Sequence, residues 1–305
     1  MANFMSPQHA SRQRQAIYQS LDQTLDQTLE LVEDDLSAQI PVDQANIWGI
    51  HATQVNLKED REALGFPPSF FRPLSSSFLA EHPVDWACSG GPPGGNIFTG
   101  YPPDSTLDLT RELQSYMSEF IDARREGIGP DGRSRLVHVS PSYDPVNPAT
   151  HVRQIYLYED EFVSRNRHWQ QEGEFQSPEG PPHIILAIAN GTDASNDTLT
   201  TWELMSCVHA LMIRYEEPAF IGHDTLPSLI MLYVGPKHGR ILQAHHDGER
   251  LVTQFPPIMS FESEGVAPVT AEFLTRYAAS TPEGTTGPLH AEMAIGESLR
   301  RLHIQ

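Results

Sequence analysis

Lysine and cysteine are scarce in this sequence, and long apolar runs are missing. Of its 20 basic residues only Lys58 and Lys237 are lysines. Both stand among polar neighbours that do not lower an amine pKa, so no lysine nucleophile or Schiff base is expected. The only two cysteines, Cys88 and Cys207, do not make a disulfide framework. Without a run of about 18 apolar residues, no membrane partner is expected either.

The first residues lack a basic segment followed by an apolar one, the pattern of a secretory signal. Together with the low cysteine content, this favours a reducing compartment, the cytoplasm or the nucleus. The chain carries 40 acidic residues against 20 basic ones, a formal net charge of -20. Such a field repels phosphate backbones, so no nucleic-acid partner is expected.

A chain of 305 residues, 39% of them apolar, is long enough to bury one substantial core. Composition divides it into four parts that we expect to form one globular unit. These are a disordered N-terminus (1–15), an N-terminal helix with its extension (16–63), an irregular aromatic wrap rich in proline and glycine (64–104), and a main domain (105–305).

Apolar residues that recur every three or four positions predict an amphipathic helix from about residue 9 to 38. They are Ile17, Leu21, Leu25, Leu29, Val32 and Leu36. We expect this helix to pack on its own domain, with a homodimer through the same helix as the alternative. The same periodicity predicts a second helix over residues 106–126, with Leu109, Leu113, Tyr116, Met117 and Phe120 facing inward.

Further along, the pattern predicts alternating strands and helices. Thr200 and Glu203 form a capping box at the start of a helix that reaches Arg214. The predicted strands are 135–139, 152–160, 183–191 and 228–234, the last two apolar on both faces and therefore central. Two more helices are predicted at 268–279 and 288–302.

Asp247-Gly248 lies between two apolar-containing runs and predicts a β-hairpin over residues 240–255. A two-residue turn at this pair would place His246 opposite Glu249 and Ala244 opposite Leu251. Helices that alternate irregularly with hairpin-linked strands indicate an α+β fold. We expect a mixed or antiparallel sheet with a C-terminal β-hairpin, packed by several helices.

The tripeptide His290-Ala291-Glu292 resembles the start of the catalytic helix of zinc-dependent deaminases, in which the His binds zinc and the Glu moves protons. That family adds two closely spaced cysteines after this helix, whereas Cys88 and Cys207 both precede it. The sequence therefore favours an ordinary helix start over a metal site, with a degenerate deaminase-like protein as an alternative.

Histidines concentrate around the predicted hairpin, where His245, His246 and Asp247 are neighbours in sequence. A metal interpretation would require His223 and His238 to lie near them in space. Adjacent strand residues point to opposite faces, so His245 and His246 do not share one metal ion. We predict solvated hairpin residues and no metal site. The glycine-rich stretch 88–96 lacks the lysine and the following helix of a phosphate cradle, so no cofactor is expected.

The run from residue 227 to 255, with its Gly-Pro-x-x-x-Arg turn and Asp-Gly hairpin, and the later Ser-Thr-Pro resemble a group of uncharacterised intracellular proteins of filamentous ascomycete fungi. The resemblance covers about residues 183–286 and implies a context, since such proteins accompany specialised-metabolite gene clusters. It implies no reaction.

Two functions are expected from these observations. The first is an accessory protein that binds a protein or small-molecule partner, because no coherent catalytic set is present. The alternative is a biosynthetic enzyme with a histidine acid/base. The candidate catalytic residues are His223, His245, His290 and Glu292. A deep pocket in which two or more of the histidines 223, 238, 245 and 290 converge would favour the enzyme.

Overall fold

The structure is a computed structural model, and it describes residues 12–34, 39–57, 66–91, 106–129, 133–136, 169–175 and 181–287. The described residues do not include the predicted strand 152–160, the predicted helix 288–302 or residues 137–139 of the predicted strand 135–139. No described helix is both long and apolar enough to cross a membrane.

Seven helices are described, and we number them in chain order. They are α1 (Arg12–Asp34), α2 (Val42–Ile47), α3 (Ser76–Glu81), α4 (Trp86–Ser89), α5 (Thr106–Asp122), α6 (Thr201–Glu216) and α7 (Ala267–Ala278). A 3-10 turn at Pro218–Phe220 follows α6.

Strands are numbered in the same way. They are β1 (Gln39–Pro41), β2 (Ile50–Gln54), β3 (Phe71–Arg72), β4 (Arg124–Glu126), β5 (Arg133–Arg135), β6 (Trp169–Phe175), β7 (Ile184–Asp193), β8 (Thr198–Thr200), β9 (Ser228–Gly235), β10 (His238–His246), β11 (Leu251–Phe255), β12 (Met259–Ser260) and β13 (Thr281–Pro282).

The main sheet has the strand order β2-β11-β10-β9-β7-β6, and β12 pairs with the start of β10. β9 runs parallel to β7, and β11 runs parallel to β2, while the other neighbours are antiparallel. The sheet is therefore mixed, which confirms the predicted α+β class. β7 and β9 are buried and interior to the sheet, as their apolar sequences predict.

Each face of this sheet is covered by a different set of helices. Along β10, Leu242 and Ala244 face one core with α1 and α6, whereas Ile241 faces the other core with α5, α7 and residues 66–71. This alternation is what a strand buried on both faces requires. Both cores belong to one sheet, so one strand positions groups on opposite sides.

The N-terminal helix packs on its own domain, as predicted. Ile17, Leu21 and Leu25 are buried against α6 and the sheet, so the apolar stripe is used within the chain. A homodimer through this helix remains a prediction. The predicted disorder up to residue 15 is wrong for residues 12–15, because the helix begins at Arg12 and Arg14 is buried.

The capping box is confirmed: the Thr200 side chain accepts from the Glu203 N–H, and the Glu203 carboxylate accepts from the Thr200 N–H. The second predicted helix ends earlier than expected. α5 stops at Asp122, and residues 124–126 pair with β5 as a strand. Within α5, Leu109 is only half-buried while Leu107 is buried, so the buried face includes Leu107 in place of Leu109.

The aromatic wrap is described over residues 66–91. The prediction that it contains no regular elements is wrong, because α3 and α4 form within it. Each is a short helix whose N-cap side chain, Ser75 or Asp85, accepts from a backbone N–H. Aromatic side chains attach this segment to a core, since Phe66, Phe70 and Phe71 are buried.

The hairpin exists, but its predicted register is wrong. His246 pairs with Leu251, and Ala244 pairs with Thr253, so the turn contains four residues instead of two. Asp247 explains the difference, because its Oδ1 accepts from the N–H groups of both Glu249 and Arg250. This side-chain cap stabilises a longer turn than Asp-Gly alone predicts.

Candidate functional site at the histidine end of the sheet

Histidines gather at the end of the sheet where β7 and β9 begin and β10 ends. We call this the histidine end, and its members are His51, His183, His223, His245 and His246. Strand register brings His51 and His245 to the same level, since His51 pairs with Val252 and Val252 pairs with His245. The side chains of His51, Val252 and His245 therefore lie in one row on one face of the sheet.

His183 reaches the same face from β7. It precedes Ile185 by two residues, and Ile185 lies in the row of Leu229 and Gln243. His245 is two residues beyond Gln243, so His183 and His245 stand at the same level, about 10 Å apart across two strand spacings. The ring of Phe70 contacts both, with centroid distances of 6.2 Å to His183 and 4.8 Å to His245.

The tautomer of His183 is fixed by its neighbour. Nε2 lies 2.8 Å from the carbonyl oxygen of Glu283, which only accepts, so Nε2 carries the proton. Nδ1 is buried and has no hydrogen-bond partner among the described residues. Burial lowers the pKa of His183 to about 4, against the opposing effect of the Glu283 carbonyl. At neutral pH, Nδ1 of His183 is therefore an unprotonated hydrogen-bond acceptor.

His245 has a similar environment. It is 4% exposed, and its Nδ1 is also buried without a hydrogen-bond partner in the described part of the chain. Burial lowers its pKa to about 4; Asp247 opposes this shift, while His246 and His51 add to it. Both imidazoles beside Phe70 are consequently neutral at pH 7.

Two glutamines hold the backbone next to this ring. Gln243 donates from Nε2 to the Pro68 carbonyl at 2.9 Å and accepts at Oε1 from the Phe70 N–H at 3.3 Å. Gln254 donates to the Pro67 carbonyl at 2.5 Å, and the two glutamine side chains bond to each other at 2.9 Å. These buried amides give residues 66–70 one defined position on the sheet face.

A second segment, residues 280–287, crosses the same end. β13 pairs with β3, and the Glu283 N–H donates to the Phe70 carbonyl at 2.9 Å. Gly284 has a φ of +81°, and a Cβ there would lie 2.8 Å from the Ser69 carbonyl, so only glycine fits. The segment then brings Thr286 Oγ1 to 2.8 Å from His223 Nδ1.

Charged groups lie behind the histidines. Arg14 donates to the carbonyls of Tyr215 at 2.6 Å and of His223 at 2.8 Å. Arg214 and His223 are near enough to His183 for their charges to lower its pKa further. Asp224 supplies a compensating negative charge beside Arg14. The charges of Arg214 and His223 therefore favour a neutral His183.

The prediction that His245 and His246 are solvated is wrong. Both are buried, because β11 and the two helical layers cover the end of β10. Their opposite orientation is as predicted, with His245 against Phe70. His246 has a structural role, since its Nδ1 accepts from the Gly248 N–H at 3.0 Å within the hairpin turn.

The described structure does not bring the other candidate residues to the histidine end. His238 begins β10, seven residues and about 23 Å from His245, and its Nε2 lies 3.8 Å from a Glu262 oxygen. His290 and Glu292 lie outside the described residues, so the degenerate-deaminase alternative remains a prediction.

Cys88 is exposed at α4 and Cys207 is buried in α6. Within the described ranges, no three His, Cys, Asp or Glu side chains are grouped to hold a metal ion.

Sequence reasoning missed His51, His183 and Phe70 as site residues. Each stands at or just before a strand, so its local pattern is that of a structural residue. A weak signal was present, because His183 is a polar residue at the head of an otherwise apolar strand. Only the pairing of distant strands puts it next to His245.

Comparisons with known proteins add no assignment. No protein-family model, no curated protein and no solved structure matches the chain.

Proposed function

We propose that the protein is an accessory protein that binds a small molecule at the histidine end and leaves it chemically unchanged. The supporting observation is the pair His183 and His245, two buried imidazoles that contact one aromatic ring and have unpaired Nδ1 atoms within the described chain. An unpaired buried polar atom costs about 1–3 kcal/mol. A ligand that pairs with these atoms would recover that cost.

The pKa values favour binding over acid/base catalysis. A general base is most effective when its pKa is near the working pH, whereas burial lowers the pKa of His183 and of His245 to about 4. Such imidazoles are weak bases at pH 7 but good hydrogen-bond acceptors. The enzyme alternative would require a base nearer neutrality.

The context of the proposal comes from the resemblance to intracellular proteins of filamentous fungi. We extend the proposal to a cytoplasmic fungal protein whose ligand is a specialised metabolite. The chemistry of the histidine end agrees with this, because it offers aromatic surface and uncharged acceptors to a small organic molecule.

The test is small-molecule capture with the full-length chain. Wild type, His245→Leu and the matched control His238→Leu are incubated with a small-molecule extract of fungal mycelium. Bound compounds are then separated by gel filtration and identified by mass spectrometry. We expect a compound that wild type and His238→Leu retain and that His245→Leu loses at least fivefold.

The mass of the captured compound separates the two functions. An unchanged mass after prolonged incubation supports a binding protein, whereas a time-dependent change of mass supports the enzyme. Equal retention by wild type and His245→Leu, or retention by neither, contradicts binding at the histidine end. Circular dichroism of all three proteins shows whether each is folded.

A further inference from the structure

We propose that the histidine end binds a planar ring with an O–H or N–H donor, the ring replacing that of Phe70 and the donor pairing with Nδ1 of His183. This inference rests on the proposed function, since it names the class of ligand for the same site. It follows from three features: a ring-sized position, a fixed backbone around it, and an acceptor of known tautomer.

The ring position is defined by aromatic contacts. Phe70 lies between the imidazoles of His183 and His245, and Phe71 meets His183 edge-on with centroids 5.3 Å apart. Both phenylalanines are buried. Flat rings with 4.5–7 Å between centroids are the favoured partners of such surfaces. A ligand ring in the place of the Phe70 ring would keep these contacts.

The backbone of Phe70 is held from two sides. Its N–H donates to Gln243 Oε1 at 3.3 Å, and its carbonyl accepts from the Glu283 N–H at 2.9 Å. A change of the Phe70 side-chain rotamer moves the ring without breaking either bond. The Phe70 side chain is therefore the element that occupies the site when no ligand is bound and makes way for one.

The donor requirement follows from the tautomer of His183. Because Nε2–H donates to the Glu283 carbonyl, Nδ1 offers only a lone pair. A hydroxyl or amine of the ligand would pair with it, whereas a hydrocarbon leaves it unpaired and a carboxylate brings a second lone pair against it. Arg214 and His223 oppose protonation of this ring through their charges, while Asp247 opposes the lowering of the pKa at His245.

The experiment measures three probes of similar size: phenol, which has a donor, toluene, which has none, and benzoate, an anion. Full-length Phe70→Ala opens the ring position, and NMR titration at pH 7 gives the dissociation constants. We expect Phe70→Ala to bind phenol at least tenfold more tightly than toluene, and benzoate most weakly. Wild type binds phenol more weakly than Phe70→Ala, because its own ring competes.

Two double variants locate the acceptor. Phe70→Ala/His183→Leu should lose the preference for phenol to within about twofold while still binding toluene, because the ring position remains and the lone pair is gone. Phe70→Ala/His238→Leu, changed at the far end of β10, should keep the tenfold preference. Phe70→Leu opens less space and replaces Phe70→Ala if the latter fails to fold.

Three outcomes overturn the inference: equal affinities for phenol and toluene, tightest binding of benzoate, or binding of none of the probes by a folded Phe70 variant. Failure here is distinguishable from failure of the proposed function. A captured natural compound without a donor-bearing ring would refute the ligand class and leave binding intact. The expected order of probe affinities without any captured compound would support the ligand class and contradict the proposed function.

Discussion

The buried carboxylate of Glu203 takes part in both the N-terminal cap of α6 and an ion pair with Arg240. It accepts from the Thr200 N–H as part of the cap of α6, and its oxygens lie 3.1 and 3.2 Å from Arg240 on β10. Both side chains of this ion pair are fully buried. Burial raises the pKa of Glu203 although Arg240 opposes the shift. Glu203 can consequently become neutral when Arg240 is removed, whereas Arg240 stays charged when Glu203 is removed.

We predict that Glu203→Gln destabilises the protein by about 3–5 kcal/mol, because Arg240 stays charged in the core without its partner. Arg240→Met should cost less at pH 5, since Glu203 then becomes neutral by binding a proton. Because the pKa of Glu203 is raised in the folded state, the Arg240→Met variant loses stability as pH rises from 5 to 7. Urea unfolding at both pH values measures this.

The double variant Glu203→Gln/Arg240→Met is the control for the pair. Replacing both charges should recover part of the loss, because no uncompensated charge remains. If both single variants cost the same and neither cost depends on pH, Glu203 is not the partner that neutralises.

Helix α1 is attached to α6 by the buried cation of Arg14 as well as by its apolar stripe. Arg14 donates to the carbonyls of Arg214 and Tyr215 at the C-terminus of α6, and to those of Phe220 and His223 beyond it. A cation there pairs with the negative end of the helix dipole. Its ring contact with Tyr215, 4.9 Å from the centroid, adds to this attachment.

We predict that Arg14→Met lowers the free energy of unfolding by about 3 kcal/mol, since several buried carbonyls lose their charged donor. Hydrogen exchange should rise in α1 and in the last turn of α6 before it rises in the sheet. Arg12→Met, an exposed arginine of the same helix, is the matched control and should change little. Equal effects of the two substitutions would show that Arg14 does not fix α1.

At the scale of the whole molecule, buried neutral histidines make stability depend on pH. Burial lowers the pKa of His183, His245 and His246 to about 4 and that of His209 to about 3, whereas an unfolded histidine has a pKa of about 6.5. Between these values the unfolded chain binds more protons than the folded one. Stability should therefore be complete above pH 6.5 and fall as pH falls toward 4.

The expected slope is up to about 5.5 kcal/mol per pH unit within this window, about 1.4 for each of the four histidines. Urea unfolding at intervals between pH 7.5 and 4.5 measures it. His245→Leu should lower the slope by about a quarter, and His238→Leu should leave it unchanged. A flat profile down to pH 4.5 would contradict the neutral, buried state of these residues.

The sequence by itself determined the elements whose signals are local. The capping box at Thr200, the doubly apolar strands β7 and β9, and the stripe of α1 follow from propensity and periodicity within about 20 residues. They were sufficient for the α+β class, but they left open whether the sheet is mixed or antiparallel, which the parallel pairs β7–β9 and β2–β11 decided. Local signals failed at element ends, as at Asp247, where a side chain capped a longer turn than the Asp-Gly pair predicts.

Only the tertiary structure decided the candidate site. His183 and His245 are 62 positions apart in the sequence, and their common level depends on the register of β7, β9 and β10. Phe70 comes from a segment whose position is set by Gln243, Gln254 and Glu283. Strand register and side-chain pairing are long-range properties, since one residue of slip would turn each histidine to the opposite face. The sequence therefore determined which residues form strands, and the packing of those strands determined which histidines meet.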